Sequence, residues 1–163
     1  MNLGCGFDIK DGWFNTNHAA HQKVEGAWIL DARDDDPTMH NKFDFILINH
    51  VLCTMPYNDV RKILTNVHGW LTSEGRVEII DMDLGKAAEA FVKNNADAIP
   101  SKEGNLDWNF CMHVAGYSTR PSLFTASVMK DFLVEAGFNK FKIKETSEYD
   151  TRPLESFTIE ATK

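Results

Sequence analysis

The feature that most constrains the fold is the run Phe43-Asp44-Phe45-Ile46-Leu47-Ile48-Asn49. It is nearly continuous in apolar residues and rich in aromatic and β-branched side chains, the mark of a strand buried on both faces. Shorter runs share this character. Met1-Asn2-Leu3 enters Gly4-Cys5-Gly6, Trp13-Phe14-Asn15-Thr16-Asn17 follows the turn Asp11-Gly12, and Ala27-Trp28-Ile29-Leu30-Asp31 ends on an acid. Arg76-Val77-Glu78-Ile79-Ile80-Asp81 follows the turn Ser73-Glu74-Gly75. Before it, Val60, Ile63, Leu64, Val67, Trp70 and Leu71 recur at spacings of three and four, which predicts a helix capped by Asn58 after Pro56. Residues 84–94 predict a second helix, and Thr125 caps a third that stops at Gly137. Residues 99–122 have no clear period and predict an irregular insertion. Phe141-Lys142-Ile143-Lys144 and Phe157-Thr158-Ile159-Glu160-Ala161 alternate, as antiparallel strands with one solvated face do. The sum is an α/β chain with a mostly parallel sheet and an antiparallel ending, read as one domain over its 163 residues.

Charge and cysteine usage narrow the partners. Lys plus Arg is 17 against 24 for Asp plus Glu, a net charge of −7, so nothing global draws the chain to nucleic acid or an anionic membrane. Cys5, Cys53 and Cys111 are odd in number and scattered, a poor disulfide framework that fits a reducing, cytoplasmic setting. His18 and His21 are closely spaced, but no second close pair of histidines supports them, so no metal site is expected. No secretory signal is expected, and the longest apolar stretch, residues 43–52, is far too short to span a membrane. Nothing in the sequence speaks to oligomeric state.

In open α/β sheets, ligands bind beyond the carboxyl ends of the strands. There the sequence sets Gly4-Cys5-Gly6, Asn17-His18, Asp31-Ala32-Arg33, Asn49-His50 and Asp81-Met82-Asp83. Gly4-Cys5-Gly6 serves as a tight turn or lets backbone N–H groups approach an anion. Asn17 is a polar strand end or a ribose ligand, and Asp31 is a turn acid or an acceptor for a purine amino group. His50 and His113 are candidate bases, because imidazole titrates near neutral pH. Their plainer readings are a strand-end hydrogen bonder and an exposed loop residue. Trp108, Phe110, Met112, Tyr117 and Phe124 suit an acceptor lid, though core packing explains some of them equally well. Cys5 and Cys53 read as packing residues.

These residues resemble class I S-adenosylmethionine-dependent methyltransferases. Asn2-Leu3-Gly4-Cys5-Gly6 is similar to their first motif, and Asp11-Gly12-Trp13-Phe14-Asn15-Thr16-Asn17 resembles the GW-x-N-x-D second strand of one subgroup. The stretch from Phe43 through Asn49-His50-Val51-Leu52 resembles the fourth strand and its HVLEH motif. Leu71-Thr72-Ser73-Glu74-Gly75-Arg76 resembles the L-x-P-G-G-x turn, and Ala136-Gly137-Phe138 with the last strand resembles the close of the fold. The resemblance covers nearly the whole chain. It implies a doubly wound, Rossmann-like sheet with an antiparallel C-terminal hairpin. It also implies S-adenosylmethionine as cofactor and a small-molecule or sugar-like acceptor. The implied cofactor set is Leu3, Gly4, Cys5, Gly6, Asn17, His18, Asp31, Ala32, Asn49 and His50. Within it, Gly4, Cys5 and Gly6 pass under the methionine part, Asn17 meets the ribose, and Asp31 with Ala32 meets the adenine. Asn49 and His50 line the floor, with His50 and His113 as the catalytic candidates. Asp8, Asp31 and Asp81 are expected on the rim, a sign that suits a cationic sulfonium.

Three departures stand out. The family has an acid where this chain has Asn17, and an amide accepts through one oxygen only. The segment Phe7 to Gly12 is too short for the usual helix between the first two strands. The start is also short, so the usual N-terminal helix is expected to be absent and acceptor specificity to rest mostly on residues 99–122. The second reading is therefore a cofactor-binding module without transfer activity. A nicotinamide oxidoreductase is disfavoured because Ile9 stands where the third glycine of G-x-G-x-x-G belongs. A nucleic-acid methyltransferase is disfavoured by the charge, and by Asn49-His50-Val51-Leu52 in place of an aromatic-proline tetrapeptide.

Overall fold

A computed structural model describes residues 1–18, 24–95, 121–150 and 156–163. The strands are β1 (Asn2–Leu3), β2 (Asn15–Asn17), β3 (Trp28–Ile29), β4 (Phe43–Asn49), β5 (Leu71–Met82), β6 (Lys140–Lys144) and β7 (Ser156–Thr162). The described helices are α1 (Tyr57–Trp70), α2 (Leu84–Val92) and α3 (Ala126–Glu135). The strands form one sheet in the order β3-β2-β1-β4-β5-β7-β6. Pairing is parallel from β3 through β5, and β7 runs antiparallel to both β5 and β6. The chain builds outward from β1 to β3, then returns to place β4 on the other side of β1. The carboxyl ends of β1 and β4 therefore flank the switch point of the sheet.

Alternation splits the sheet into two unlike faces. Leu3, Ile46, Ile48, Val77, Ile79, Ile159 and Ala161 share one face and join the core. α1 sets Val60, Ile63, Leu64, Val67 and Trp70 on that face, and α3 adds Met129, Phe132 and Leu133, all of them buried. The other face carries the cross-sheet row Asn15, Asn2, Leu47, Glu78 and Glu160, each in register with the next. Buried polar groups need partners, and these have them. Asn2 Nδ2 donates to Asn15 Oδ1 at 3.1 Å, and Lys144 Nζ reaches Glu78 Oε2 at 2.5 Å and Glu160 Oε2 at 2.8 Å. Residues 145–150 cross this face as a strap. Ser147 Oγ donates to Glu78, and the Tyr149 ring sits 5.7 Å from Trp13 and 6.2 Å from Phe45.

Several boundaries differ from the sequence expectation. Asn58 does not cap α1. Pro56 stands at the N-cap with no side-chain cap bond, and the helix starts at Tyr57. The ring-fixed φ of proline sets the entry in place of a polar cap. β5 starts at Leu71, because Thr72-Ser73-Glu74-Gly75 is an irregularity within the strand where pairing jumps from Phe43–Leu71 to Phe45–Arg76. A Cβ on Gly75 would lie 2.9 Å from the Phe43 carbonyl oxygen, which explains the glycine. α2 ends at Val92 and is capped by Asp83, whose Oδ1 accepts from Gly85 N at 2.8 Å. Thr125 caps α3 through Val128 N, and Gly137 follows it at φ 103. Among the described residues, no helix is long and apolar enough to cross a membrane.

Candidate functional site

β1 delivers Gly4-Cys5-Gly6 to the switch point. Gly4 has φ 67 and Gly6 has φ 56, in the left-handed region where a side chain costs about 1–2 kcal/mol. The two glycines serve different ends. A Cβ on Gly4 would lie 2.6 Å from Val51 Cγ2, so Gly4 allows the turn to pack on the segment after β4. A Cβ on Gly6 would meet nothing within 4 Å, so Gly6 faces open space. Cys5 N donates to Thr16 O at 2.9 Å and Gly6 N donates to Asn17 Oδ1 at 2.8 Å. Both N–H groups are thus used within the fold. The turn offers close approach, and neither Cys5 nor Gly6 offers a spare donor to an anion.

Asn17 ends β2, buried, with both polar atoms on one residue. Its Oδ1 accepts from Gly6 N, and its Nδ2 donates to Gly6 O at 2.8 Å. An amide oxygen has a second lone pair, which is what remains for a ribose hydroxyl. At the end of β3, Asp31 is held by Arg33. Arg33 Nε donates to Oδ1 at 2.8 Å, Nη2 to Oδ2 at 2.5 Å, and the Arg33 backbone N–H to Oδ1 at 3.1 Å. The Arg33 side chain therefore keeps the Asp31 carboxyl well below the usual carboxylate range. His18 Nε2 lies 3.1 Å from Asp31 Oδ2 and 3.2 Å from Arg33 Nη2. α1 fixes the loop from below, with Asn66 Nδ2 on Ala32 O at 2.9 Å and Asp59 Oδ2 at 3.5 Å from Arg33 Nη1.

At the end of β4, Asn49 Nδ2 donates to Tyr149 O at 2.9 Å, while its buried Oδ1 has no hydrogen-bond partner among the described residues. An orphaned acceptor is costly unless a donor arrives. His50 follows at φ 54, with its N–H on Ile80 O at 2.8 Å. Its Nε2 is 3.3 Å from Ser156 Oγ, and its Nδ1 is 4.0 Å from Asp81 Oδ1. Asp81 is fully buried, and its two oxygens accept from Cys53 N at 2.9 Å and Met82 N at 2.8 Å. It ties the Leu52–Thr54 turn to β5.

The structure gathers Gly4, Cys5, Gly6, Asn17, Asn49 and His50 around the switch point, and groups His18, Asp31 and Ala32 beyond β2 and β3. The Leu3 side chain packs in the core, so only its backbone reaches the site. The expected acidic rim does not form. Asp81 is buried beneath the surface, Asp31 is paired with Arg33, and Asp8 sits 3.0 Å from Lys10 Nζ. Phe124 is 1% exposed and packs edge-on against Tyr57 and Phe132, so it belongs to the core and not to a lid. His113, Trp108, Phe110, Met112 and Tyr117 lie outside the described residues, as does nearly all of the expected insertion. Cys5 and Cys53 are buried, and burial pushes the Cys5 thiol up, consistent with a packing role. Sequence reasoning missed two participants. Arg33 stood beside Asp31 in plain view, whereas Ser156 opens an alternating strand and carries no signal of its own.

No family model matches the sequence, and no curated protein matches it. Solved structures do match. A SAM-dependent methyltransferase from Archaeoglobus fulgidus superimposes with a TM-score of 0.61 at 12% identity, over 99% of this chain and 84% of that one. A SAM-dependent methyltransferase from Thermotoga maritima, a possible histamine N-methyltransferase, gives 0.60 at 18% identity, over 99% and 80%. The CMeT domain of the citrinin polyketide synthase gives 0.62 at 11% identity, over 98% of this chain. This chain spans 45% of that CMeT chain and 36% of a matched chain from Nostoc punctiforme. At such identities the likeness is one of fold. The chain has the class I S-adenosylmethionine-dependent methyltransferase fold, as the resemblance implied.

Proposed function

We propose that the chain transfers a methyl group from S-adenosylmethionine to a small-molecule or sugar-like acceptor. One observation carries the reading. At the switch point, a glycine turn open at Gly6 follows β1 beside the end of β4, where the buried Oδ1 of Asn49 lacks a donor among the described residues. The methionine part of the cofactor carries an ammonium group, a donor of the kind Asn49 Oδ1 lacks. Gly4 to Gly6 would pass beneath it, Asn17 would offer its remaining lone pair to the ribose, and the Asp31–Ala32 loop would border the adenine. When bound, the cofactor supplies the methyl group from its sulfonium for an in-line displacement.

The chain's own work is to orient the acceptor, exclude water and handle its proton. His50, 10% exposed and at the end of β4, is placed to accept that proton. The other reading, a binding module without turnover, is the one that Asn17 in place of the family's acid and the short glycine loop favour.

Calorimetric titration with S-adenosylmethionine and S-adenosylhomocysteine tests the proposal. Saturable heat is expected from both, and silence at millimolar ligand sinks it. Binding of both without product from any acceptor selects the module.

A further inference from the structure

His50 is a tightly constrained titratable residue at the carboxyl end of β4. Its left-handed backbone costs a residue with a side chain about 1–3 kcal/mol. It persists because His50 N is fixed to Ile80 O at 2.8 Å, one step past the last paired residue of β4. In that conformation the imidazole lies between the end of β5 and the start of β7. Among the described residues, four elements contribute groups around it. Asp81 on β5 has Oδ1 4.0 Å from Nδ1, and Ser156 on β7 has Oγ 3.3 Å from Nε2. Lys86 on α2 donates its ammonium to Ser156 O at 2.5 Å, and Cys53 in the Leu52–Thr54 turn has Sγ 3.9 Å from His50 O.

A neutral imidazole has one donor and one acceptor nitrogen. An ionised carboxylate only accepts, so the nitrogen that faces Asp81 is the one to carry the proton. A hydroxyl either donates or accepts, so Ser156 can donate to the other nitrogen. The 4.0 Å separation from Asp81 exceeds a formed hydrogen bond. Such contacts are often long in ligand-free enzymes and shorten when substrate is bound.

We propose that Asp81 and Ser156 are positioning residues for His50: the Asp81 carboxylate keeps the ring proton on Nδ1, and the Ser156 hydroxyl holds the Nε2 lone pair in place until the acceptor's O–H or N–H displaces it there. This rests on the reading of His50 as the base for methyl transfer. The acceptor's O–H or N–H proton moves to Nε2, the electron pair of that bond stays on the acceptor atom for attack, and the resulting imidazolium is offset by Asp81.

The test is 15N NMR of the imidazole nitrogens in the full chain, free of added ligand, across a pH series. The Nδ1–H tautomer is expected in the parent protein. In S156A, the tautomer persists while the Nε2 resonance moves. In Asp81→Asn, the preference for the Nδ1–H tautomer is lost, because an acceptor-only carboxylate is replaced by an amide that can also donate. Asp81→Asn also strips an acceptor from the Cys53 or Met82 N–H, so S156A, which leaves that turn intact, decides the matter if the first variant does not fold. An Nε2–H tautomer in the parent, an unmoved Nε2 resonance in S156A, or an unchanged tautomer in Asp81→Asn overturns the proposal. Ring states are read without cofactor. A failed calorimetric titration would remove methyl transfer and leave the ring assignment standing, and the wrong tautomer would do the reverse.

Discussion

Asn17 and Gly6 are joined by a reciprocal pair of hydrogen bonds, side-chain amide to backbone amide, each 2.8 Å long. Only an amide side chain satisfies both, because one end must accept from N–H and the other must donate to C=O. The resemblance alone expects Asn17→Asp to hold or improve cofactor affinity by restoring the family's acid. The pair points the other way. A carboxylate keeps the bond to Gly6 N and sets its second oxygen against Gly6 O. Asn17→Asp is expected to lose about 1–3 kcal/mol of stability, read from urea midpoints. Unchanged stability with tighter S-adenosylmethionine binding would show that the amide is not needed as a clamp.

Gly4 and Gly6 have equal claims by sequence and unequal ones by geometry. Gly4→Ala places a methyl 2.6 Å from Val51 Cγ2 as well as in the left-handed region, so a loss above about 2 kcal/mol is expected. Gly6→Ala carries only the backbone term of about 1–2 kcal/mol. In Gly4→Ala/Val51→Ala the clash is relieved and part of the loss returns. Chemical denaturation of the four proteins gives the coupling, and strict additivity would count against the Gly4–Val51 contact.

Asp31 links stability to acid. Arg33 lowers the folded-state pKa of Asp31, so the stabilisation is present above the unfolded value of about 3.9 and is lost as pH falls below it. Arg33→Gln removes the main cause. Its urea midpoint should be lower than the parent's at pH 7 and should converge with it as pH drops through the acid range. A difference that stays constant down to acid unfolding would mean the ion pair contributes nothing.

Lys144 neutralises Glu78, which is 3% exposed. Removing one partner of a buried pair typically costs about 3–5 kcal/mol, whereas replacing both with apolar groups is often near neutral. Lys144→Met is expected to be strongly destabilising, and Glu78→Met/Lys144→Met to recover most of the loss. Glu160 keeps Arg76 at 3.3 Å in both proteins. Melting temperatures that fall equally in single and double variants would place the cost elsewhere.

The parts of the fold governed by period were legible in the sequence. β4, the apolar stripe of α1 and the cap and stop of α3 each follow from side chains a few residues apart. Boundaries set by backbone geometry were not: Pro56 displaced Asn58 as the cap, and Gly75 sat inside β5 because of a carbonyl from a distant strand. Strand ends flagged the site as a zone. They did not show how its residues are used, since Asn17, Asp31 and Asp81 each spend their oxygens on neighbours that only the fold brings near.

The strap over the polar face has a consequence for motion. Its hold on the sheet is a handful of polar bonds and two aromatic contacts, against a continuous apolar seal beneath α1 and α3. The strap is therefore expected to exchange its amide hydrogens ahead of the strands beneath it. The Asn49 amide is bonded to the strap at Tyr149 O. Each lift of the strap thus releases the side chain whose other end waits at the switch point, so exchange in residues 145–150 should slow when that site is filled.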